Sequence, residues 1–84
     1  MSDLPAYSEQ AQKFPKGIYE HYKGNRYQIL AVGRNSETLE EVVVYQDLEK
    51  KDRVWVRPLN MFVETITLNN EEVPRFRLVD KAVR

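Results

Sequence analysis

The chain has 84 residues, no cysteine, and 13 Lys and Arg against 13 Asp and Glu. That length accommodates one domain around one hydrophobic core, and the absent thiols exclude a disulfide framework, a thiolate nucleophile and a Cys-based zinc site. At 42% hydrophobic and 31% charged the composition is that of a globular protein with a solvated surface, and zero net charge removes the general positive field that draws proteins to nucleic acid or anionic lipid.

Residues 1–13 carry little apolar content and are expected to form a flexible arm with at most one helical turn and no part in the core. The opening residues lack a basic stretch leading into an apolar run, and nowhere do about 18 apolar residues follow one another, so a cytoplasmic protein without membrane contact is expected. The folded domain is expected over 14–80, with 81–84 as a tail.

Phe14-Pro15-Lys16-Gly17 punctuates the start of a short strand, Ile18 to Tyr22, and Lys23-Gly24-Asn25 reads as a tight turn into a second strand, Tyr27 to Val32. A polar excursion from Arg34 to Glu41 follows. Val42-Val43-Val44-Tyr45 is a β-branched run suited to an interior strand, and after the charged turn Glu49 to Asp52 the stretch Arg53 to Arg57 alternates long side chains with valines, the period-two pattern of a strand. Pro58 ends that strand, since it lacks a ladder donor, and Leu59 to Phe62 predicts one 3₁₀ turn plugging an end of the fold. Val63 to Leu68, the turn pair Asn69-Asn70, and a last strand from Val73 to Val79 complete the order, with Pro74 suited to a sheet edge. So many short strands with so little helix must cover their apolar faces by curling. The pattern therefore predicts an all-β domain: a small, partly open SH3-like barrel of five or six strands.

The pattern Lys16-Gly17-x-Tyr19-x-His21-x-Lys23-Gly24-x-x-Tyr27, followed by Ser36-Glu37-Thr38-x-Glu40, Val43-Val44-Tyr45, Trp55-Val56-Arg57-Pro58-x-x-Met61-Phe62 and Val73-Pro74-Arg75-Phe76, resembles a family of short bacterial proteins carrying a domain of unknown function. The resemblance spans Lys16 to about Val79. It implies a bacterial cytoplasmic domain, alone or appended to enzymes, and brings no activity or catalytic residue. Asn70 departs from the glycine expected in the last hairpin turn, although Asn also tolerates left-handed geometry.

Strand alternation puts Tyr19 and His21 on one face, and Trp55 and Arg57 on one face of another strand. If those faces coincide near Tyr45, the five residues Tyr19, His21, Tyr45, Trp55 and Arg57 form an aromatic cleft with a cation, suited to a peptide, a partner protein or stacked bases. The same rings would equally fill a small barrel, and Arg57 would equally pair inside it with Glu20 or Glu64. Arg75 and Arg77 flank Phe76 and share a face if the strand is regular, where two guanidiniums would hold a phosphate or carboxylate, or simply blunt an edge.

His21, the sole histidine, has no motif-borne nucleophile beside it, so catalysis is not expected. A lone histidine among scattered carboxylates implies no metal site, and glycines at 17, 24 and 33 fit no phosphate loop or dinucleotide fingerprint, so no cofactor is implied. A binding module for a peptide or protein is the expectation. The alternative is nucleic-acid binding through the early basic segment (Lys13, Lys16, Lys23, Arg26, Arg34) and the late one (Arg75, Arg77, Lys81, Arg84).

Overall fold

The computed structural model describes residues 4–81; the first three residues of the expected arm and residues 82–84 of the expected tail, Arg84 among them, lie outside the described residues. Seven strands and two short helices are described: α1 (Glu9–Lys13), β1 (Gly17–His21), β2 (Arg26–Arg34), β3 (Glu41–Asp47), β4 (Val54–Pro58), α2 (Leu59–Phe62), β5 (Thr65–Leu68), β6 (Glu71–Pro74) and β7 (Phe76–Lys81). Five strands make one antiparallel sheet in the order β4-β3-β2-β1-β7, and β5 and β6 pair as a separate hairpin. The domain is mainly β, as expected. Its end strands β4 and β7 do not pair with each other, so the sheet is not a closed barrel.

The β1–β2 and β3–β4 hairpins fall where the turn chemistry places them. Gly24 adopts φ +108° with nothing near its missing Cβ, so backbone conformation rather than space calls for glycine there. Asp47, 5% exposed, closes the β3–β4 connection by accepting the Glu49 and Lys50 backbone N–H groups at 2.7 and 3.1 Å, and these bonds hold its carboxyl below the usual range. Asn69 and Asn70 both take positive φ, 52° and 67°, the requirement of a two-residue hairpin turn between Leu68 and Glu71.

The sheet curls because extra residues enter two of its ladders. Leu30 has no partner between the pairs Ile29↔Tyr45 and Ala31↔Val44, and Val79 has none between Ile18↔Asp80 and Tyr19↔Leu78. Curling turns Tyr19, Ile29, Val43, Tyr45 and Phe76 inward onto Leu59 and Phe62 of α2. Phe62, 1% exposed, stacks on Phe76 at 4.1 Å and meets Tyr19 and Tyr45 edge-on, both at 5.3 Å.

Four details differ from the expectation. The segment Leu59–Phe62 is a turn of α-helix rather than 3₁₀: the Val63 N–H reaches back to the Leu59 carbonyl at 3.1 Å. The arm is not free of the core, because Ser8 caps α1 and Ala11 packs into the buried cluster. The stretch from Val73 to Val79 is two strands rather than one. It breaks at Arg75, whose N–H donates to the Glu64 carbonyl while its own carbonyl accepts from Tyr22, so β6 pairs with β5 and β7 with β1. Finally, β7 runs one residue into the expected tail, where Lys81 pairs with Gly17.

Two substitutions test this architecture by urea unfolding. Phe62→Ala removes the ring on which the inward side chains converge and should cost about 3–5 kcal/mol. Asn70→Val forces a β-branched residue into the left-handed region and should cost about 1–2 kcal/mol, whereas Asn70→Gly should equal or exceed the parent; equal midpoints for valine and glycine would refute the turn assignment.

Candidate functional site

On the concave side of the sheet, beside the α2 plug, lies an open recess of about 270 Å³ lined by His21, Lys23, Asn25, Tyr27, Tyr45, Trp55, Arg57 and Phe76. Register explains the convergence. Trp55 lies opposite Tyr45, Arg57 opposite Val43, and His21 opposite Phe76, so all of these side chains project to the face that curling makes concave. Four of the five residues singled out as an aromatic and cationic cleft, His21, Tyr45, Trp55 and Arg57, thus meet in one place.

Tyr19 is the exception. It shares the face but is 6% exposed, sealed by Phe14 stacked at 5.5 Å and by Phe62, and its hydroxyl donates to the Pro15 carbonyl at 2.6 Å. Burial pushes that phenol up to about 12. It is a core residue.

The recess has a dry floor and a wet rim. Tyr45 is 4% exposed and packs edge-on to Tyr27 and Phe76 at 5.3 and 5.6 Å, whereas Trp55 is 48% exposed. Arg57 spans the mouth: its Nε donates to the Tyr45 hydroxyl at 3.1 Å and its guanidinium carbon lies 5.6 Å from the Phe76 ring centroid. It joins neither carboxylate considered from the sequence, because Glu20 engages Arg77 and Arg26, and Glu64 engages Arg75. Among the described residues Arg57 has no acidic partner.

His21 Nδ1 accepts the Lys23 backbone N–H at 3.2 Å, which leaves the ring proton on Nε2 in the neutral form. Burial first, and then Arg57, Arg75 and Lys23, hold the imidazole below its usual range. The site is therefore rich in donors and positive charge while its histidine stays uncharged near neutrality.

The paired anion site at Arg75 and Arg77 does not form. Arg75 sits at the break between β6 and β7, 3.5 Å from Glu64, and Arg77 lies on the convex face 2.6 Å from Glu20. The two basic segments do approach, since Arg26 and Arg77 converge, but they do so on Glu20 between them. Tyr27, Phe76 and Asn25 were not assigned to the cleft from the sequence, and Lys23 entered only with the early basic segment; alternation in the first hairpin, which sets Tyr27 opposite Tyr19, was the signal available for Tyr27. Among the described residues no group of three His, Cys, Asp or Glu is placed to hold a metal ion, and no helix is long and apolar enough to cross a membrane.

A family model described as a protein of unknown function, DUF1653, matches residues 17–78, which carry every element from β1 to the first half of β7. The chain belongs to the DUF1653 family. A crystal structure of a DUF1653 protein from Bordetella bronchiseptica is 36% identical, with a TM-score of 0.76 over 88% of this chain and 97% of that one. No curated protein matches it. The DUF1653 match takes in the whole recess, since all of its lining residues lie within the matched segment.

Because the unfolded chain holds the His21 proton more tightly than the folded one, stability should rise with pH between the lowered folded value and the ordinary 6.5, and be lost as pH falls through that window. The sole imidazole signal in proton NMR should titrate below 6.5, and Arg57→Gln should move its midpoint upward by removing one neighbouring cation. An unmoved midpoint would place Arg57 away from His21.

Proposed function

We propose that this DUF1653 domain is a non-catalytic recognition module of the bacterial cytoplasm, a strongly curled SH3-like sheet whose recess binds a peptide or a partner protein. The observation that carries this reading is the meeting of Trp55, half-exposed, with Arg57 and a neutral His21 over a floor of buried rings. A rigid aromatic wall beside an oriented guanidinium supplies contact area and directional donors at little entropic cost. The lining holds neither a serine or threonine hydroxyl nor a carboxylate, and His21 Nδ1 is engaged by the backbone; both features favour binding over proton transfer.

Nucleic-acid binding remains the alternative. A protein ligand is favoured because Arg26 and Arg77 are shared with Glu20 and Arg75 with Glu64, so carboxylates take up three of the cations that a phosphate backbone would need.

An array of random 15-residue peptides, probed with the parent protein and with Trp55→Ala, should give a defined set of signals that the variant loses by about tenfold or more while its thermal unfolding is unchanged. A blank array, alongside tight binding of single-stranded DNA that weakens with added salt, would overturn the reading in favour of the alternative.

A further inference from the structure

The recess opens at one end of the sheet, and that end is a bare strand edge. The Asp47 N–H donates to the Arg53 carbonyl at 3.0 Å, so residues 47 and 53 form a hydrogen-bonded pair. Alternation along the β3–β4 register then makes Tyr45↔Trp55 and Val43↔Arg57 the bonded pairs, and turns the backbone N–H and C=O groups of Val54 and Val56 outward. β4 ends the sheet, and no bond from those groups to another described residue exists. The edge is also apolar: Val54 is 48% and Val56 63% exposed on the convex face, and Trp55 is 48% exposed on the concave one. Natural sheets usually blunt such an edge with charge, proline, a bulge or a covering loop, and β4 carries Arg57 and Pro58 at its C-terminal end while Val54 to Val56 stay unblunted. Here an unpaired ladder, two exposed valines and an arginine without a carboxylate coincide on one short strand.

We infer that the β4 edge receives an extended segment of a partner protein carrying an apolar-acidic-apolar triplet, whose backbone extends the sheet at Val54 and Val56 and whose carboxylate enters the recess against Arg57. This deepens the recognition reading above and rests on it. Charge complementarity selects the acidic residue. Arg57, Lys23 and the neutral His21 present donors, and no carboxylate lines the recess. Alternation selects the flanks, because a residue beside Trp55 and Arg57 has its chain neighbours on the convex face, against Val54 and Val56. A guanidinium takes a carboxylate in fork geometry, and cross-strand side chains lie close enough for that contact. Backbone bonds then supply affinity while alternate side chains supply selectivity.

The test uses the blocked pentapeptide acetyl-Thr-Val-Glu-Val-Thr-amide, followed by emission of Trp55, the sole tryptophan. Saturable binding that weakens by about tenfold or more when the peptide Glu becomes Gln is expected. Arg57→Gln should erase the difference between the two peptides, and N-methylation of the peptide groups facing β4 should abolish binding to the parent. Because the Glu and Gln comparison is made on the unaltered protein, it stands even if a variant fails to fold. Equal binding of both peptides would overturn the acidic assignment while leaving the recognition reading intact. Full binding by the N-methylated peptide would overturn strand addition. A concentration-dependent dimer in analytical ultracentrifugation that Val56→Pro dissolves would assign the edge to a second copy and overturn the inference. If neither this peptide nor any on the array binds, the broader reading falls with it.

Discussion

The stack of Phe62 on Phe76 is the contact on which the molecule depends. Phe62 belongs to the single helical turn after β4, and Phe76 begins β7 at the opposite end of the sheet. Their rings lie 4.1 Å apart and within 5° of parallel, which holds the two ends of an open sheet around one plug without a backbone hydrogen bond between them. Tyr19 and Tyr45 then pack edge-on against Phe62, and the space that this cluster leaves unfilled is the recess. Core and candidate site are thus two halves of one aromatic layer. Fixing its rings in mutual edge and stacked contacts gives the recess a closely packed floor.

How much of this was legible in the sequence follows from the range of the interactions involved. Strands and turns set by local chemistry were readable: the β-branched run at Val42 to Val44, Gly24 in its turn, and the Asn69-Asn70 pair with both residues left-handed. The shared faces of Tyr19 with His21 and of Trp55 with Arg57 were readable too, because alternation is a local rule. What escaped was set by distant partners. The break at Arg75 depends on a carbonyl at Glu64 and an N–H at Tyr22, neither visible from the run Val73 to Val79. Ala11 enters the core only because the sheet brings Glu41 to Ser8, whose N–H and hydroxyl both donate to that carboxylate at 2.7 Å and so anchor the start of α1. Whether a ring is core or rim likewise depends on strand order. Tyr19 lies on β1 under Phe14, while Trp55 lies on β4, which has a neighbour on one side only.

The charges show a consistent division between the two faces. On the convex side Glu20 gathers Arg26 and Arg77 into a small network, which neutralises cations that would otherwise form a basic patch. On the concave side no such carboxylate reaches Arg57, and a ring face and a phenol hydroxyl take its place. Exposed ion pairs of the first kind add little stability, typically under about 1 kcal/mol. Their effect here is on the field, since pairing lowers the positive charge of the convex face while the recess keeps Arg57 and Lys23 with no carboxylate in its lining.

Arg57 itself is costly to hold in this way. A guanidinium half-withdrawn from water onto Tyr45 and Phe76 loses hydration that one neutral hydrogen bond and one ring contact offset only in part. A structural arginine would be expected to capture a carboxylate, and Glu64 is used by Arg75 on the neighbouring segment instead. The same strand leaves Val54 and Val56 exposed and their backbone groups outward, a second cost in aggregation risk rather than in hydration. Both costs fall on β4, and one binding event would relieve them together: an added strand pairs the edge, covers the valines, and brings an anion to the arginine.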